Sequence, residues 1–203
     1  MVRQIIKELV PGMLPLVIFI SVVLISLRLA YLKGSKKIVF HKELLMLIFI
    51  IYILCLYHVV TVQDINYGGI NLIPFKEMFR YEIGSYKFIK NIIGNIVLFI
   101  PYGFFSSYYL NNNKMSRNIF LCLIATFTIE SIQYYIGRVF DIDDIILNVL
   151  GGLIGYLFYI ALMAIKERLP RFMKSDWFLN LLFLIIIVLG IVYGFNLNIF
   201  DYI

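Results

Sequence analysis

The sequence predicts an all-α fold, a polytopic transmembrane helical bundle of about six spanning helices plus a short interfacial helix. Of the 203 residues, 62% are hydrophobic and only 15% are charged, and the mean hydropathy is +0.93. The apolar residues form continuous runs, and a spanning helix needs about 20 of them. Because the runs do not alternate, they exclude a β-barrel. No large soluble domain fits in the remainder, so we expect residues 1–203 to form a single transmembrane domain.

Each predicted spanning helix corresponds to one apolar run. The first run follows Arg3 and Lys7, but it is too long for the apolar region of a signal peptide, so we expect a retained helix. The fourth run alone carries an acidic residue, Glu130, away from its ends. The runs cover residues 11–32, 44–62, 91–110, 119–136, 145–165 and 177–197.

The long connection over residues 63–90 has an amphipathic pattern. Apolar residues recur at helical spacing between Phe75 and Tyr86, and charged residues occupy the other face. This pattern predicts a short helix lying in the membrane interface. A loop with anchoring aromatic residues is the alternative.

Lysine and arginine residues predict the orientation of the helices. Of the 18 such residues, 11 fall on one side of the predicted membrane and 7 on the other. The richer side should be cytoplasmic, which places both termini and the connection 63–90 outside. The net charge of +6 does not indicate nucleic-acid binding, because the basic residues lie between apolar runs, where membrane loops carry them.

Polar side chains of three predicted helices fall in one shallow layer near the outer ends. With a rise of about 1.5 Å per residue, the amides and Glu130 lie roughly 5 to 9 Å below those ends. Gln133 follows Glu130 at i,i+3 and Asn148 follows Asp144 at i,i+4, so each pair shares a helix face. The segment 138–144 closes over the layer. The predicted ligand-binding layer comprises Asn95, Glu130, Gln133, Arg138, Asp141, Asp143, Asp144 and Asn148.

Glu130 is the most costly residue to insert, because a charge at a helix centre costs about 2.5–3.5 kcal/mol. Its carboxyl group must therefore be neutral, paired with a cation or hydrated by water. One interpretation is a structural polar clamp between helices, with about 0.6 kcal/mol per contact. The other is a ligand or reaction site, and we prefer it because intramembrane carboxylates commonly mark sites.

The acidic segment after Arg138 also has two interpretations. Asp141, Asp143 and Asp144 with Arg138 form a self-satisfied surface network, or the three carboxylates bind a divalent cation through oxygen. The segment lacks the glycine turn and the spacing of a dedicated calcium loop. We therefore predict no metal and no cofactor.

Small residues predict where helices approach closely. Gly151 and Gly155 give the fifth run a smooth face, and Gly103 with Ser107 does the same on the third. Pro101 removes a backbone donor and should kink the third helix near its middle.

An ordered set of motifs spans about residues 68–160. It consists of Asn71-Leu-Ile-Pro74-Phe75, Asn91-Ile-Ile-Gly94-Asn95, Phe99-Ile-Pro101-Tyr-Gly103, Glu130-Ser-Ile-Gln133, Arg138-x-Phe-Asp141-x-Asp143-Asp144 and Asn148-x-x-Gly151-Gly152. In order and spacing this set resembles the VanZ-like family. The resemblance implies a bacterial membrane protein of the cell envelope. The family's name-giving member is associated with low-level resistance to teicoplanin, a lipid-tailed glycopeptide antibiotic, and membership alone does not assign that resistance to this chain. The resemblance implies no particular molecular mechanism.

Two functions fit these features. The first is a non-enzymatic protein of the plasma membrane, in contact with the lipid bilayer, whose outward polar layer binds or excludes an amphiphile such as a lipoglycopeptide antibiotic or a cell-wall lipid. The second is a membrane-embedded enzyme acting on a lipid-linked envelope precursor. In that case Glu130 or Asp144 is the catalytic general base and Arg138 holds a phosphate or carboxylate. We prefer the first, because the sequence has no nucleophile–base pair, phosphate loop or redox motif. The oligomeric state stays open.

Overall fold

The computed structural model describes residues 39–61 and 69–196, and the predicted first helix, 11–32, lies outside them. The all-α prediction is confirmed. Four of the described helices, α1 to α4, are long and apolar enough to cross a membrane, and α5 is apolar over Asp176–Gly190. The helices are α1 (Phe40–Thr61), α2 (Tyr86–Tyr109), α3 (Met115–Tyr135), α4 (Ile142–Arg168) and α5 (Asp176–Asn196).

The chain divides into two compact units, a central unit of Leu56–Ile165 and a flanking unit formed by the segments on either side. In the flanking unit, a polar contact joins the start of α1 to the start of α5. The backbone N–H of His41 donates to Asn180 Oδ1 at 2.9 Å, and Lys42 pairs with Asp176 at 3.3 Å. His41 is buried, so this contact fixes the ends of both helices.

In the central unit, α2 packs directly against α4 through glycines. A methyl group added at Gly103 would overlap the backbone carbonyl of Gly152. A methyl group at Gly151 or Gly155 would overlap carbonyls of α2 in the same way. The close approach predicted for Gly103, Gly151 and Gly155 is therefore confirmed. Helices at this separation bring the side chains of both helices into one layer.

A buried polar cluster joins α2 to α3 farther along. Asn118, fully buried, donates to the backbone carbonyl of Gly103 at 3.1 Å and to Ser107 Oγ at 3.0 Å. Pro101 lies inside α2, and its predicted kink stays a prediction.

The prediction of an interfacial helix between Phe75 and Tyr86 is wrong. Residues 72–85 form turns with a single 3-10 turn, Met78–Arg80. Pro74 precedes Phe75, which has a φ of 68°, and the Lys76 N–H bonds back to the Ile73 carbonyl at 3.4 Å. This is the arrangement of a type II turn, in which the third position needs positive φ, and it is incompatible with a continuous helix.

Two short strands tie this connection to the start of α4. β1 (Ile70–Asn71) and β2 (Phe140–Asp141) are parallel, with Ile70 opposite Phe140 and Asn71 opposite Asp141. The chain then enters α2 at Tyr86, where the Ser85 hydroxyl caps the helix by accepting from the Phe88 N–H at 3.1 Å. Residues 89–93 of α2 are π-helical.

Candidate functional site

A cavity of about 710 Å³ lies in the central unit, where the paired strands meet α2, α3 and α4. All eight residues of the predicted ligand-binding layer line it. Since α2 begins at Tyr86 and α4 at Ile142, both helices start three to five residues before the apolar runs that predicted them. The polar layer therefore lies deeper in the helices than the sequence suggested.

Glu130 is almost fully buried in the cavity, with 1% of its surface exposed. Its Oε2 accepts from the backbone N–H of Asp141 at 3.0 Å. The Gln133 amide, in the orientation that satisfies both its neighbours, donates to Glu130 Oε1 at 2.9 Å and accepts from the Arg138 guanidinium at 2.5 Å. Glu130 is thus hydrogen-bonded on both oxygens, as a carboxylate at this depth requires.

Asp144 and the two asparagines complete the inner lining. Asn95 donates from α2 to Asp144 Oδ1 at 2.6 Å, and Asn148 donates to Thr126 Oγ1 at 2.9 Å. Asp144 and Glu130 interact electrostatically with each other, and Arg138 interacts with both. One guanidinium therefore lies among at least two carboxylates at the inner end of the cavity.

Asp143 has a structural role. It is 1% exposed, and its two oxygens accept backbone N–H groups of the connection: Phe75 at 2.5 Å, Glu77 at 2.8 Å and Met78 at 3.2 Å. A carboxylate that accepts three N–H groups holds a turn in place. Asp143 lines the cavity, but its hydrogen bonds are directed at the backbone of residues 75–78.

Asp141 links the strands to the start of α4. Its Oδ1 accepts from the Asn71 amide at 3.0 Å and from the Asp143 N–H at 2.9 Å. Burial raises the pKa of the Asp141 carboxyl, and these two hydrogen bonds act in the opposite direction. The same Asn71 amide oxygen accepts from the Ile73 N–H at 3.4 Å, so Asn71 connects the type II turn to β2.

The divalent-cation alternative has no geometric support. The carboxylates of Asp141, Asp143 and Asp144 engage three different partners, an amide of β1, the backbone of 75–78 and an amide of α2. Over residues 39–61 and 69–196, no group of three or more His, Cys, Asp and Glu residues is arranged to hold a metal ion.

Sequence reasoning missed Thr126 and the basic side of the cavity. Arg80, Lys87 and Lys90 also line it, although in the sequence they served only to predict orientation and, for Arg80, the charged face of the interfacial helix. The sequence does contain a signal for the basic side. Lys87, Asn91 and Asn95 are spaced at i, i+4 and i+8, which places them on one face of a helix. This signal became visible only because α2 begins at Tyr86, before the apolar run.

Comparisons with known proteins cover most of the central unit. A family model described as VanZ/LLP1 matches residues 44–165. The chain is 25% identical over 158 residues to Protein VanZ of Enterococcus faecium, an alignment that covers 77% of this chain and 90% of that protein. No solved structure matches significantly.

Proposed function

The chain belongs to the VanZ/LLP1 family, and on that premise we propose that it is a multi-pass protein of the bacterial plasma membrane whose cavity binds an amphiphile. The amphiphile is a lipoglycopeptide antibiotic or a cell-wall lipid, and the expected phenotype is a small decrease in susceptibility to teicoplanin. The protein acts by binding or excluding this molecule at the outer face of the membrane.

The observation that carries the proposal is the cavity itself. Helices that cross a membrane insert without internal carboxylates, and each charge at the helix centre costs about 2.5–3.5 kcal/mol. Yet Glu130 and Asp144 lie inside the span of α3 and α4 and line a cavity of about 710 Å³. A cavity of this size suits a ligand, since pockets that bind drug-sized ligands have volumes of about 300–1,000 Å³.

Changes of charge inside the cavity test the proposal. The variants are Glu130→Gln, Arg138→Gln and Asp144→Asn, and the matched controls are Lys166→Gln at an exposed position and Lys174→Gln at a half-buried one, neither of which lines the cavity. Each is expressed in a teicoplanin-susceptible bacterium, and membrane abundance is measured together with the inhibitory concentration. We expect normal abundance for all five and loss of the susceptibility shift in the cavity variants alone. Normal abundance with an unchanged shift in all three cavity variants contradicts the proposal.

A membrane-embedded enzyme is the second candidate, favoured by the position of Arg138 beside Glu130 and Asp144. A carboxylate would act as general base on a lipid-linked envelope precursor whose phosphate or carboxylate Arg138 holds. The two candidates differ in what Glu130→Gln removes. An enzyme should lose turnover while it keeps binding, whereas a binder should lose affinity in proportion to the contacts removed.

A further inference from the structure

The charges of the cavity are unevenly distributed. Lys87 and Lys90 lie near the start of α2, with Glu77 and Arg80 paired in the connection beside them, and the carboxylates of Glu130 and Asp144 lie farther in. From this we infer that the ligand is a membrane lipid whose headgroup carries a phosphate and, beyond it, a protonated amine. The inference rests on the proposed function, because it names the chemical class of the amphiphile.

The basic end of the cavity is defined by the first turns of α2. Lys87 and Lys90 are exposed and line the cavity, and Asn95 lies farther along the helix, bonded to Asp144. At about 1.5 Å per residue, Lys90 and Lys87 lie roughly 7 and 12 Å from Asn95 along the helix axis. A lysine ammonium is a compact cation with three donors, which suits a phosphate.

The inner end has the opposite character. Glu130 and Asp144 supply two carboxylates to the single guanidinium of Arg138. Asp143 and Asp141 add negative charge nearby, although their oxygens already accept from the backbone and from Asn71. An excess of carboxylate over cation favours a protonated amine over a neutral hydroxyl group, because hydrogen bonds between ionised partners are about twice as strong.

The source of the ligand follows from the connection beside the cavity. Its large apolar side chains are highly exposed, Phe79 at 85% and Ile83 at 90%, and they alternate with the cation of Arg80. Exposed apolar side chains next to lysine and arginine are typical of segments that lie among lipid headgroups. The basic end of the cavity is therefore at headgroup level, and a lipid enters it from the bilayer.

Lipid retention by the purified full-length chain tests this inference. The protein is incubated with equal amounts of phosphatidylethanolamine, which has the amine, and phosphatidylglycerol, which has hydroxyl groups instead, and bound lipid is counted by native mass spectrometry. We expect the wild type to retain phosphatidylethanolamine about threefold more, the effect of one modest ion pair. The double variant Glu130→Gln/Asp144→Asn should lose this preference while it still retains lipid.

The lysines should act on both lipids alike. Lys87→Gln/Lys90→Gln should lower retention of each lipid by about fivefold or more, since one basic residue near a lipid surface contributes about that factor. The control is Lys114→Gln/Lys166→Gln, which replaces two exposed lysines outside the cavity. Thermal unfolding of every variant separates loss of binding from loss of folding.

The outcomes distinguish the inference from the proposed function. Equal retention of the two lipids by the wild type, or a preference for phosphatidylglycerol, overturns the amine and leaves amphiphile binding intact. Displacement of both lipids by inorganic phosphate alone overturns the bilayer as the source. No retained lipid in a protein that still shifts teicoplanin susceptibility overturns the inference only. No retained lipid together with no susceptibility shift overturns both.

Discussion

Asn71 and Asp141 are joined twice, by the register of two parallel strands and by a hydrogen bond of 3.0 Å between the Asn71 amide and Asp141 Oδ1. Seventy positions separate them in the chain. Through this pair the connection before α2 is fixed to the start of α4, and Asp143, two residues farther on, reaches the backbone of residues 75–78. Motif segments that are distant in sequence thus form one structure at the cavity.

The first prediction concerns Asp143. Asp143→Asn keeps one acceptor oxygen but removes the charge that holds three backbone N–H groups. We expect a loss of about 2 kcal/mol of local stability, the contribution of a hydrogen bond to a charged group. Hydrogen exchange of the amides at 75–80 measures it. Glu82→Gln, an exposed carboxyl in the same connection, should leave exchange unchanged, and equal protection in both variants would contradict the structural role of Asp143.

The second prediction concerns the contact between α2 and α4. A methyl group at Gly155 would meet the Ile100 carbonyl, whereas one at Gly190 has no neighbour within 4 Å in the described chain. Gly155→Ala should therefore cost about 1–3 kcal/mol of stability, as overpacking does. Gly190→Ala should cost little. Thermal unfolding in one detergent compares them, and equal midpoints would show that the helices separate more easily than this packing implies.

The sequence predicted the helices well because the membrane makes continuous apolar runs nearly sufficient for a span. It also predicted the members of the polar layer, since i,i+3 and i,i+4 spacing fixes which side chains share a helix face. All eight predicted residues line the cavity.

Contacts distant in sequence were not predictable. The spacing from Phe75 to Tyr86 favours a helix locally, but Asp143, 66 residues beyond Glu77, binds the N–H groups of that segment. Phe75 adopts positive φ there. The different roles of the aspartates also depend on contacts distant in sequence. Residue type and spacing do not distinguish a carboxylate that holds a turn from one that lies beside the cavity.

The third prediction concerns pH. Burial raises the pKa of Asp141 above 3.8, so the folded protein keeps this proton to a higher pH than the unfolded chain does. The stability contributed by Asp141 is therefore complete below about pH 4 and is lost as pH rises through the folded pKa. Asp141→Asn, which does not titrate, should gain stability relative to the wild type as pH rises.

Thermal unfolding of both proteins from about pH 4 to pH 8 measures the difference. The exposed carboxyl variant Glu82→Gln is the control for general charge effects. A difference between Asp141→Asn and the wild type that stays constant over this range would mean that Asp141 does not titrate differently in the two states.

The fourth prediction concerns orientation. Cysteines at Ile83 and Val139, both exposed, should react with an impermeant reagent in intact cells, and one at Asn113 should not. Asn113 is a better probe than its neighbour Asn112, which is 1% exposed. Labelling of the unmodified chain gives the background from Cys55 and Cys122. Labelling at Asn113 alone would place the cavity on the cytoplasmic side and reverse the orientation that the basic residues predict.

The fifth prediction separates polar residues that hold the fold from those that serve the cavity. Asn118 lies away from the cavity lining and bonds to Gly103 and Ser107, whereas Asn95 lines the cavity and bonds to Asp144. Asn118→Ala leaves a buried hydroxyl and a carbonyl with fewer donors, so it should lower stability by about 1–3 kcal/mol. It should not change the proposed effect on teicoplanin susceptibility per molecule of folded protein.

Asn95→Ala should change stability little and should lower the susceptibility shift. It frees the Asp144 carboxylate inside the cavity, while the glycine contacts between α2 and α4 remain. Membrane abundance, unfolding temperature and the susceptibility shift are measured for both variants, and the shift is divided by abundance. If the two asparagines lower the normalised shift equally, the cavity has no special part in function and both residues act through the packing of α2. If only Asn95→Ala lowers the normalised shift, the polar layer affects the phenotype by a route other than folding. In that case the Asn118→Ala protein, which is the more destabilised of the two, keeps its activity.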